Sequence, residues 1–285
     1  MPARARRALI GAGAGVALLA LTWWLSRHVG PVRRADAAIL TGFEQLDRPH
    51  VDAITNFIAG LCDPHRYLLL APIPVVMALW RRRPRVAVAV VLVLLAANET
   101  TQLIKPLLAA PRVPVAGGPM TDASWPSGHA TAAMSLALCC VIAAAPRWRP
   151  WVAAAMAAFA VAVSWSFLEL GWHYPSDVLG GFLVAATWAL LAVAALWTIE
   201  ARRTPGRRKP DAEGSRRRVS VREALAPALT LAVAALVLAV LILVARPQQV
   251  IEYARNHEVF VVGAAAIGTI ALTLATGLGM MLTRG

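Results

Sequence analysis

Eight apolar segments, separated by shorter polar stretches, dominate the sequence. They comprise residues 8–26, 67–80, 86–105, 128–146, 151–171, 178–199, 224–245 and 259–282. A bilayer core of about 30 Å requires about 20 apolar residues per helix. Hydrophobic residues make up 59% of the chain and charged residues 15%, a balance more apolar than one soluble core requires. The sequence therefore predicts an all-α, polytopic membrane helix bundle.

The basic residues predict how this bundle is oriented. Clusters of Lys and Arg occur at 4–7, 81–85, 147–149, 202–222 and 284. If every apolar segment crosses the membrane, these clusters lie on one side and hold 19 of the 28 Lys and Arg residues. Cytoplasmic loops carry an excess of basic residues. We therefore expect an integral protein of a bacterial inner membrane with both termini in the cytoplasm.

Two alternatives concern the first apolar segment and the net charge. The first apolar segment could be a cleaved signal peptide, but its length favours an uncleaved anchor. The net charge of +13 could indicate nucleic-acid binding. Because the basic residues lie between apolar runs, they are better explained by topology and attraction to anionic lipid, and we expect no nucleic-acid partner.

The pattern divides the chain into three parts. Residues 1–199 form the predicted six-span domain, whose reactive residues lie within 98–180. Residues 200–222 form a basic cytoplasmic linker, and residues 223–285 form a C-terminal transmembrane hairpin. The sequence does not predict the oligomeric state.

The first of three polar clusters lies at the predicted outer end of the third span. Asn98, Gln102 and Lys105 share one helical face, and Arg112 follows in the loop. Because intramembrane polar groups usually face the bundle interior, this face is a candidate binding surface. A Lys reaching to the interface is the simpler alternative for Lys105.

The second cluster, WPSGH, opens the fourth span at residues 125–129. Pro126 suits a first helical turn, and Gly128 allows a ligand to approach the backbone. Helix-start amides, the Ser127 hydroxyl and His129 together favour phosphate binding. An ordinary helix cap explains Ser127 equally well but does not explain His129.

The third cluster, GWHYPSD, covers residues 171–177 between the fifth and sixth spans. Pro175 separates the two helices, so His173 and Asp177 are expected to meet across a turn. A carboxylate beside an imidazole orients the ring and stabilises its cation. Helix capping by Ser176 and Asp177 is the alternative.

In this order, K-x6-R, PSGH and H-x3-D resemble the type-2 phosphatidic acid phosphatase family over residues 36–199. That family shares its site with vanadium haloperoxidases and class A acid phosphatases. The resemblance implies a six-helix core, His173 as nucleophile, Asp177 orienting it and His129 protonating the leaving group. It also implies a phosphate-binding set of Lys105, Arg112, Ser127 and Gly128, with no metal and no other cofactor.

The sequence departs from the family pattern at two positions. Phe167 stands where the third motif usually has Arg, and Val113 follows Arg112 where Pro is usual. Losing one donor to a transition-state oxyanion typically costs about a hundredfold in rate. Glu169, one turn before His173, either pairs with Lys105 or Arg112 or reaches to the interface.

These residues predict a lipid phosphatase that acts at the outer membrane face through a phosphohistidine. Candidate substrates are polyprenyl pyrophosphate, phosphatidylglycerol phosphate and phosphatidic acid, and membrane lipids are the expected partners. A non-catalytic or weakly active lipid-binding relative is the alternative, because of Phe167. A transporter is a further possibility, although its polar groups would be expected near the membrane midplane.

Overall fold

The computed structural model describes residues 1–46, 52–109, 123–203 and 221–284, and within these ranges the chain is helical and contains no strand. The helices are α1 Ala3–His28, α2 Gly30–Glu44, α3 Asp52–Ala59, α4 Pro64–Leu70, α5 Pro72–Trp80, α6 Pro84–Leu107, α7 Gly128–Ala143, α8 Arg149–Glu169, α9 Pro175–Arg203, α10 Val221–Ala245, α11 Pro247–Asn256 and α12 Glu258–Arg284. A short 3-10 turn, Gly60–Cys62, follows α3. Residues 204–220 of the predicted linker lie outside the described ranges.

Six of the described helices are long and apolar enough to cross a membrane: α1, α6, α8, α9, α10 and α12. The all-α, polytopic membrane bundle predicted from sequence is therefore confirmed. The predicted span 67–80 is divided between α4 and α5, because Pro72 has no backbone N–H to continue the first helix. The predicted span 128–146 ends early, at Ala143, shortly before Pro146.

Helix α7 occupies the centre of the bundle. All of its residues from Ala130 to Ala143 are buried, and it packs against α6, α8 and α9. Five alanines among these residues allow the neighbouring helices to approach closely. Since other helices surround it, α7 does not need the length of a lipid-exposed span.

Three contacts bring the basic clusters to one end of the bundle. Arg4 pairs with Glu200 at 2.9 Å. Arg81 Nη1 donates to the Ala143 carbonyl at 2.6 Å, and Arg149 Nη1 donates to the Leu282 carbonyl at 2.8 Å. Residues from the turn before α6, the start of α8 and the ends of α7, α9 and α12 also line one cavity. These elements and the start of α1 therefore share one end, which we call the basic end.

The C-terminal helices differ in how deeply they pack. Most residues of α10 are exposed in the bundle, as expected for a helix surrounded by lipid. In contrast, α12 packs against α2, α7 and α8, and its Phe260 forms an edge-to-face contact with Phe43. The Ile39 side chain packs directly against the backbone at Gly263, because a Cβ at this position would lie 2.7 Å from Ile39 carbon atoms. One face of α12 thus packs against the core.

The contact between α7 and α9 depends on Gly181. A Cβ at this position would lie 2.7 Å from the Ser127 carbonyl oxygen and 2.8 Å from the Thr131 nitrogen. Both atoms belong to the backbone, so they cannot move aside as a side chain can. Close packing of the two helices therefore requires a residue without a side chain at position 181.

We predict that Gly181→Ala lowers the thermal unfolding midpoint of the detergent-solubilised protein, because the overpacking costs about 1–3 kcal/mol. Gly268→Ala is the matched control, since no atom lies within 4 Å of a Cβ at that position in α12. The unfolding can be followed by intrinsic tryptophan fluorescence. Equal midpoints for the two variants would contradict the proposed close packing.

Candidate active site

Two histidines distant in sequence lie together at the bundle end opposite the basic end. His129 is in the first turn of α7, and His173 is in the turn between α8 and α9. Their ring centroids are 6.3 Å apart. Their side chains are 23% and 11% exposed, so both are largely shielded. We call this the histidine end.

The C-terminus of α8 brings His173 to this position. The Trp172 amide donates to the Phe167 carbonyl at 2.9 Å, and the Gly171 amide donates to the Leu168 carbonyl at 3.0 Å. This is the Schellman arrangement, in which glycine adopts the left-handed conformation, and Gly171 has φ +69°. A Cβ there would also lie 2.5 Å from Glu44 Oε1. Glycine is thus required for both the turn and its packing.

Asp177 orients the turn that contains His173. Its Oδ2 lies 3.4 Å from His173 Nδ1, within ion-pair range although not aligned as a hydrogen bond. The same oxygen accepts a hydrogen bond from the Tyr174 amide at 3.0 Å. Asp177 is fully buried. A carboxylate beside an imidazole fixes the orientation of the ring.

Backbone contacts join the second and third motifs. The Ser127 amide donates to the Asp177 carbonyl at 2.9 Å. The Ser127 hydroxyl accepts a hydrogen bond from the Ala130 amide at 3.2 Å. Ser127 therefore caps α7, as the helix-cap interpretation of this residue predicted. Beside this helix start lies the Lys105 ammonium, 3.7 Å from where a Gly128 Cβ would be. Positive charge and helix amides thus meet at one place.

Sequence reasoning missed Asp63. Its Oδ1 lies 3.1 Å from His129 Nε2, although the two residues are 66 positions apart. Asp63 precedes Pro64 at the start of α4, a pattern typical of an ordinary helix cap. Its side chain makes no capping hydrogen bond, however, and approaches His129 instead. Each histidine therefore has its own carboxylate.

Phe167 fills the space beside both imidazoles. It is fully buried, with its ring centroid 5.3 Å from that of His173 and 5.9 Å from that of His129. Trp172 adds a further contact to His129, with centroids 5.6 Å apart. An aromatic ring thus occupies the position at which the family pattern has a guanidinium. It restricts how the rings can move but supplies no charge for binding phosphate.

Two further predictions from sequence have different outcomes. Arg112 and Val113 lie outside the described residues. Glu169 is only 8% exposed at the end of α8, which does not fit a carboxylate reaching out to the interface.

Asp36 supports the start of α9 from a distant part of the chain. Its two carboxylate oxygens accept from the Ser176 amide at 2.9 Å and the Ser176 hydroxyl at 2.6 Å. Trp125 Nε1 donates to the Ser176 carbonyl at 3.2 Å. Ser176 is therefore held by α2 and by the segment before α7, which fixes the neighbouring Asp177.

The geometry and the comparisons define the class of protein. Residues 86–201, which include His129 and His173, match the model of the PAP2 superfamily. This part of the chain is therefore a PAP2 superfamily domain, in agreement with the resemblance of its motifs to type-2 phosphatidic acid phosphatases.

A solved structure has the same membrane fold. The crystal structure of the first transmembrane PAP2 type phosphatidylglycerolphosphate phosphatase from Bacillus subtilis matches with a TM-score of 0.56 and 21% sequence identity. The match covers 68% of this chain and 98% of that chain. No curated protein matches the chain.

We predict that Asp36→Ala lowers the thermal unfolding midpoint, since it leaves the partly buried Ser176 amide without this acceptor at a cost of about 1 kcal/mol. Differential scanning fluorimetry of the solubilised protein measures this change. Glu252→Ala, on α11, provides a carboxylate control. A midpoint for Asp36→Ala equal to that of the control would contradict the supporting role of Asp36.

Proposed function

We propose that this protein hydrolyses a phosphate ester or anhydride of a membrane lipid through a phosphohistidine intermediate. The observation that carries the proposal is the pair of imidazoles 6.3 Å apart at one end of a membrane bundle. A phosphoryl group between two rings can be attacked from one side and released toward the other, as in-line transfer requires.

The phosphate is proposed to lie at the N-terminus of α7. The first amides of any α-helix have no intrahelical acceptor, and the helix dipole favours an anion there. The Lys105 ammonium lies beside Gly128 at this point. Arg112, which follows α6 by a few residues, is the second proposed cation. Phosphoryl transfer depends mainly on such positioned charge.

The proposed reaction has two steps. A ring nitrogen of His173 attacks phosphorus, and the bond from phosphorus to the lipid oxygen breaks. That oxygen takes a proton from cationic His129, which Asp63 stabilises. Water then attacks the phosphohistidine, its proton returns to His129, and the nitrogen–phosphorus bond breaks to release phosphate. Asp177 stabilises the charge that develops on His173.

The substrate is proposed to be a lipid because the histidine end is the end of a membrane bundle. Ile54 and Phe57 of α3 are each 60% exposed there and provide an apolar surface near the site. The neighbouring structure is titled as a phosphatidylglycerolphosphate phosphatase, which supports that lipid as a first candidate. Phosphatidic acid and polyprenyl pyrophosphate offer the same terminal phosphate.

The basic residues support an outward-facing active site. Arg4, Arg81 and Arg149 lie at the end opposite the histidines. Because basic residues favour the cytoplasmic side, we infer that the histidine end faces outward from a bacterial inner membrane. On this basis residues 1–199 form the phosphatase domain, 200–222 a cytoplasmic linker and 223–285 the hairpin.

Phe167 favours a second candidate function. Without the guanidinium of the family pattern, the site has one fewer donor for phosphate oxygens, and the buried ring contacts both histidines instead. A weakly active or non-catalytic protein that binds phospholipid would follow. Lipid binding without phosphate release from any of the three candidate lipids would support it.

We predict that His173→Ala and His129→Ala each reduce phosphate release from the solubilised protein by at least about a hundredfold, since each removes a nucleophile or a proton-transfer group. The assay measures inorganic phosphate released from the three candidate lipids. When the reaction with labelled substrate is quenched rapidly without acid, a phosphohistidine should be detected in the parent protein but not in His173→Ala.

His65→Ala is the matched control, because His65 is exposed and lies on α4 next to Asp63. It should retain activity within about twofold, as expected for a surface position. Equal phosphate release from the parent and the His129 and His173 variants would overturn the assigned mechanism.

We predict that Asp63→Asn impairs hydrolysis of lipid phosphates more than hydrolysis of p-nitrophenyl phosphate. A lipid alkoxide must be protonated as it leaves, whereas p-nitrophenolate leaves readily without a proton. If Asp63 stabilises cationic His129, the loss should be about tenfold or more for lipid and much smaller for the aryl ester. Measuring kcat for both substrates provides the test.

Glu258→Gln, at the exposed start of α12, makes the same chemical change elsewhere at this end. It should reduce kcat for neither substrate by more than about twofold. Equal losses for both substrates in Asp63→Asn would indicate a purely structural role for Asp63 and contradict the prediction.

A further inference from the structure

A cavity of about 400 Å³ opens at the basic end of the bundle, away from both histidines. Helix α6 alone has 24 residues and, at 1.5 Å per residue, separates the two ends by about 36 Å. The cavity lies between the turn that joins α5 to α6, the start of α8 and the last turns of α9. The proposed phosphatase reaction does not use it.

The lining of this cavity combines basic residues with large apolar ones. Its basic residues are Arg82, Arg83, Arg85 and Arg149. Its large apolar residues are Val86, Ile142, Val193, Leu196, Trp197, Ile199 and Leu282. The cavity therefore matches the two parts of a phospholipid. Its arginines suit the anionic headgroup, and its apolar residues suit the hydrocarbon chains.

Arg149 is the most buried of the four arginines, with 5% of its surface exposed. Its Nη1 donates to the Leu282 carbonyl, but its Nε has no hydrogen-bond partner among the described residues. A buried guanidinium with an unsatisfied donor is costly unless an anion or another acceptor completes it. Arg149 thus provides an unused donor in the wall of the cavity.

The described residues around the cavity supply little negative charge to balance the arginines. Glu200 is the acidic residue that lines it, and Glu200 pairs with Arg4 at 2.9 Å. Burial and the charge of Arg83 lower the pKa of the neighbouring Arg81. Among the described residues the arginines thus outnumber the acidic groups at the cavity, and such a cluster is suited to an anion that comes from outside the protein.

Arg82 adds a second, independent observation. It has φ +52° and occupies the position after α5 at which helices usually have glycine. The Arg82 amide donates to the Leu79 carbonyl at 2.8 Å, and the Arg83 amide donates to the Ala78 carbonyl at 2.9 Å. Left-handed backbone is unfavourable for a side-chain-bearing residue and often marks a functional position. Arg82 thus occupies this position at a cost to stability.

We propose that this cavity binds the headgroup of an anionic phospholipid, with a phosphate against the arginines and an acyl chain along the apolar wall. Basic pockets between transmembrane helices are suited to such headgroups. A lipid is favoured over free phosphate because the apolar wall would otherwise lack a matching partner. On the orientation inferred above, the lipid belongs to the cytoplasmic leaflet. The site itself does not depend on phosphatase activity.

The test measures lipid retention by native mass spectrometry of the full chain, after delipidation and addition of phosphatidylglycerol or phosphatidylcholine. Phosphatidylglycerol is a phosphodiester, so it tests anionic lipid binding without a terminal phosphate. We expect preferential retention of phosphatidylglycerol by the parent. The double variant Arg83→Gln, Arg85→Gln should lower its apparent affinity by about tenfold or more.

Two further variants sharpen the result. The double variant Arg6→Gln, Arg7→Gln removes the same charge from exposed positions of α1 and should stay within about twofold of the parent. Arg82→Gly should weaken phosphatidylglycerol retention while raising the unfolding midpoint, because glycine relieves the backbone strain. These opposite effects distinguish lost binding from a damaged fold.

Four results would overturn the proposal. They are equal retention of the two lipids by the parent, equal losses in the Arg83/Arg85 and Arg6/Arg7 variants, displacement of the lipid by millimolar glycerol phosphate, and loss of retention in His173→Ala. The third would indicate a site for free phosphate, and the fourth would place the retained lipid in the active site. Failure of the phosphatase assay would leave the lipid measurement unaffected.

Discussion

The hydrogen bond from the Ser127 amide to the Asp177 carbonyl links the two halves of the active site. One partner caps the helix that carries His129, and the other belongs to the turn that carries His173. Because Gly181 allows the two backbones to approach, this bond sets the distance between the histidines. Positioned groups transfer phosphate effectively only when such distances are fixed.

The sequence allowed prediction of the parts of the site that belong to local motifs. WPSGH and GWHYPSD contain the helix cap, the turn and both histidines, each within a few residues. Asp63 and Asp36 could not be identified in the same way, because their contacts cross 66 and 140 positions of the chain. Neither residue lies in a motif that indicates its partner, and only tertiary packing brings them to His129 and Ser176.

The lengths of the apolar segments predicted most helices of the bundle well but predicted the bounds of its central helix, α7, less well. Helices exposed to lipid must match the bilayer, so α6, α8 and α9 are long and easily recognised. Helix α7 is shielded by its neighbours and has no such constraint. The division between α4 and α5 has a local cause, Pro72, which the hydropathy pattern does not reveal.

The shortness of α7 has a consequence for access from the membrane. Its C-terminal end is level with the start of α6, since Arg81 bonds to Ala143. Its 16 residues rise only about 24 Å, less than a hydrocarbon core of about 30 Å. Measured from that end, the start of α7, and with it His129, lies about 6 Å short of the far edge of such a core. A headgroup that reaches this imidazole must enter the apolar layer, and water must accompany it.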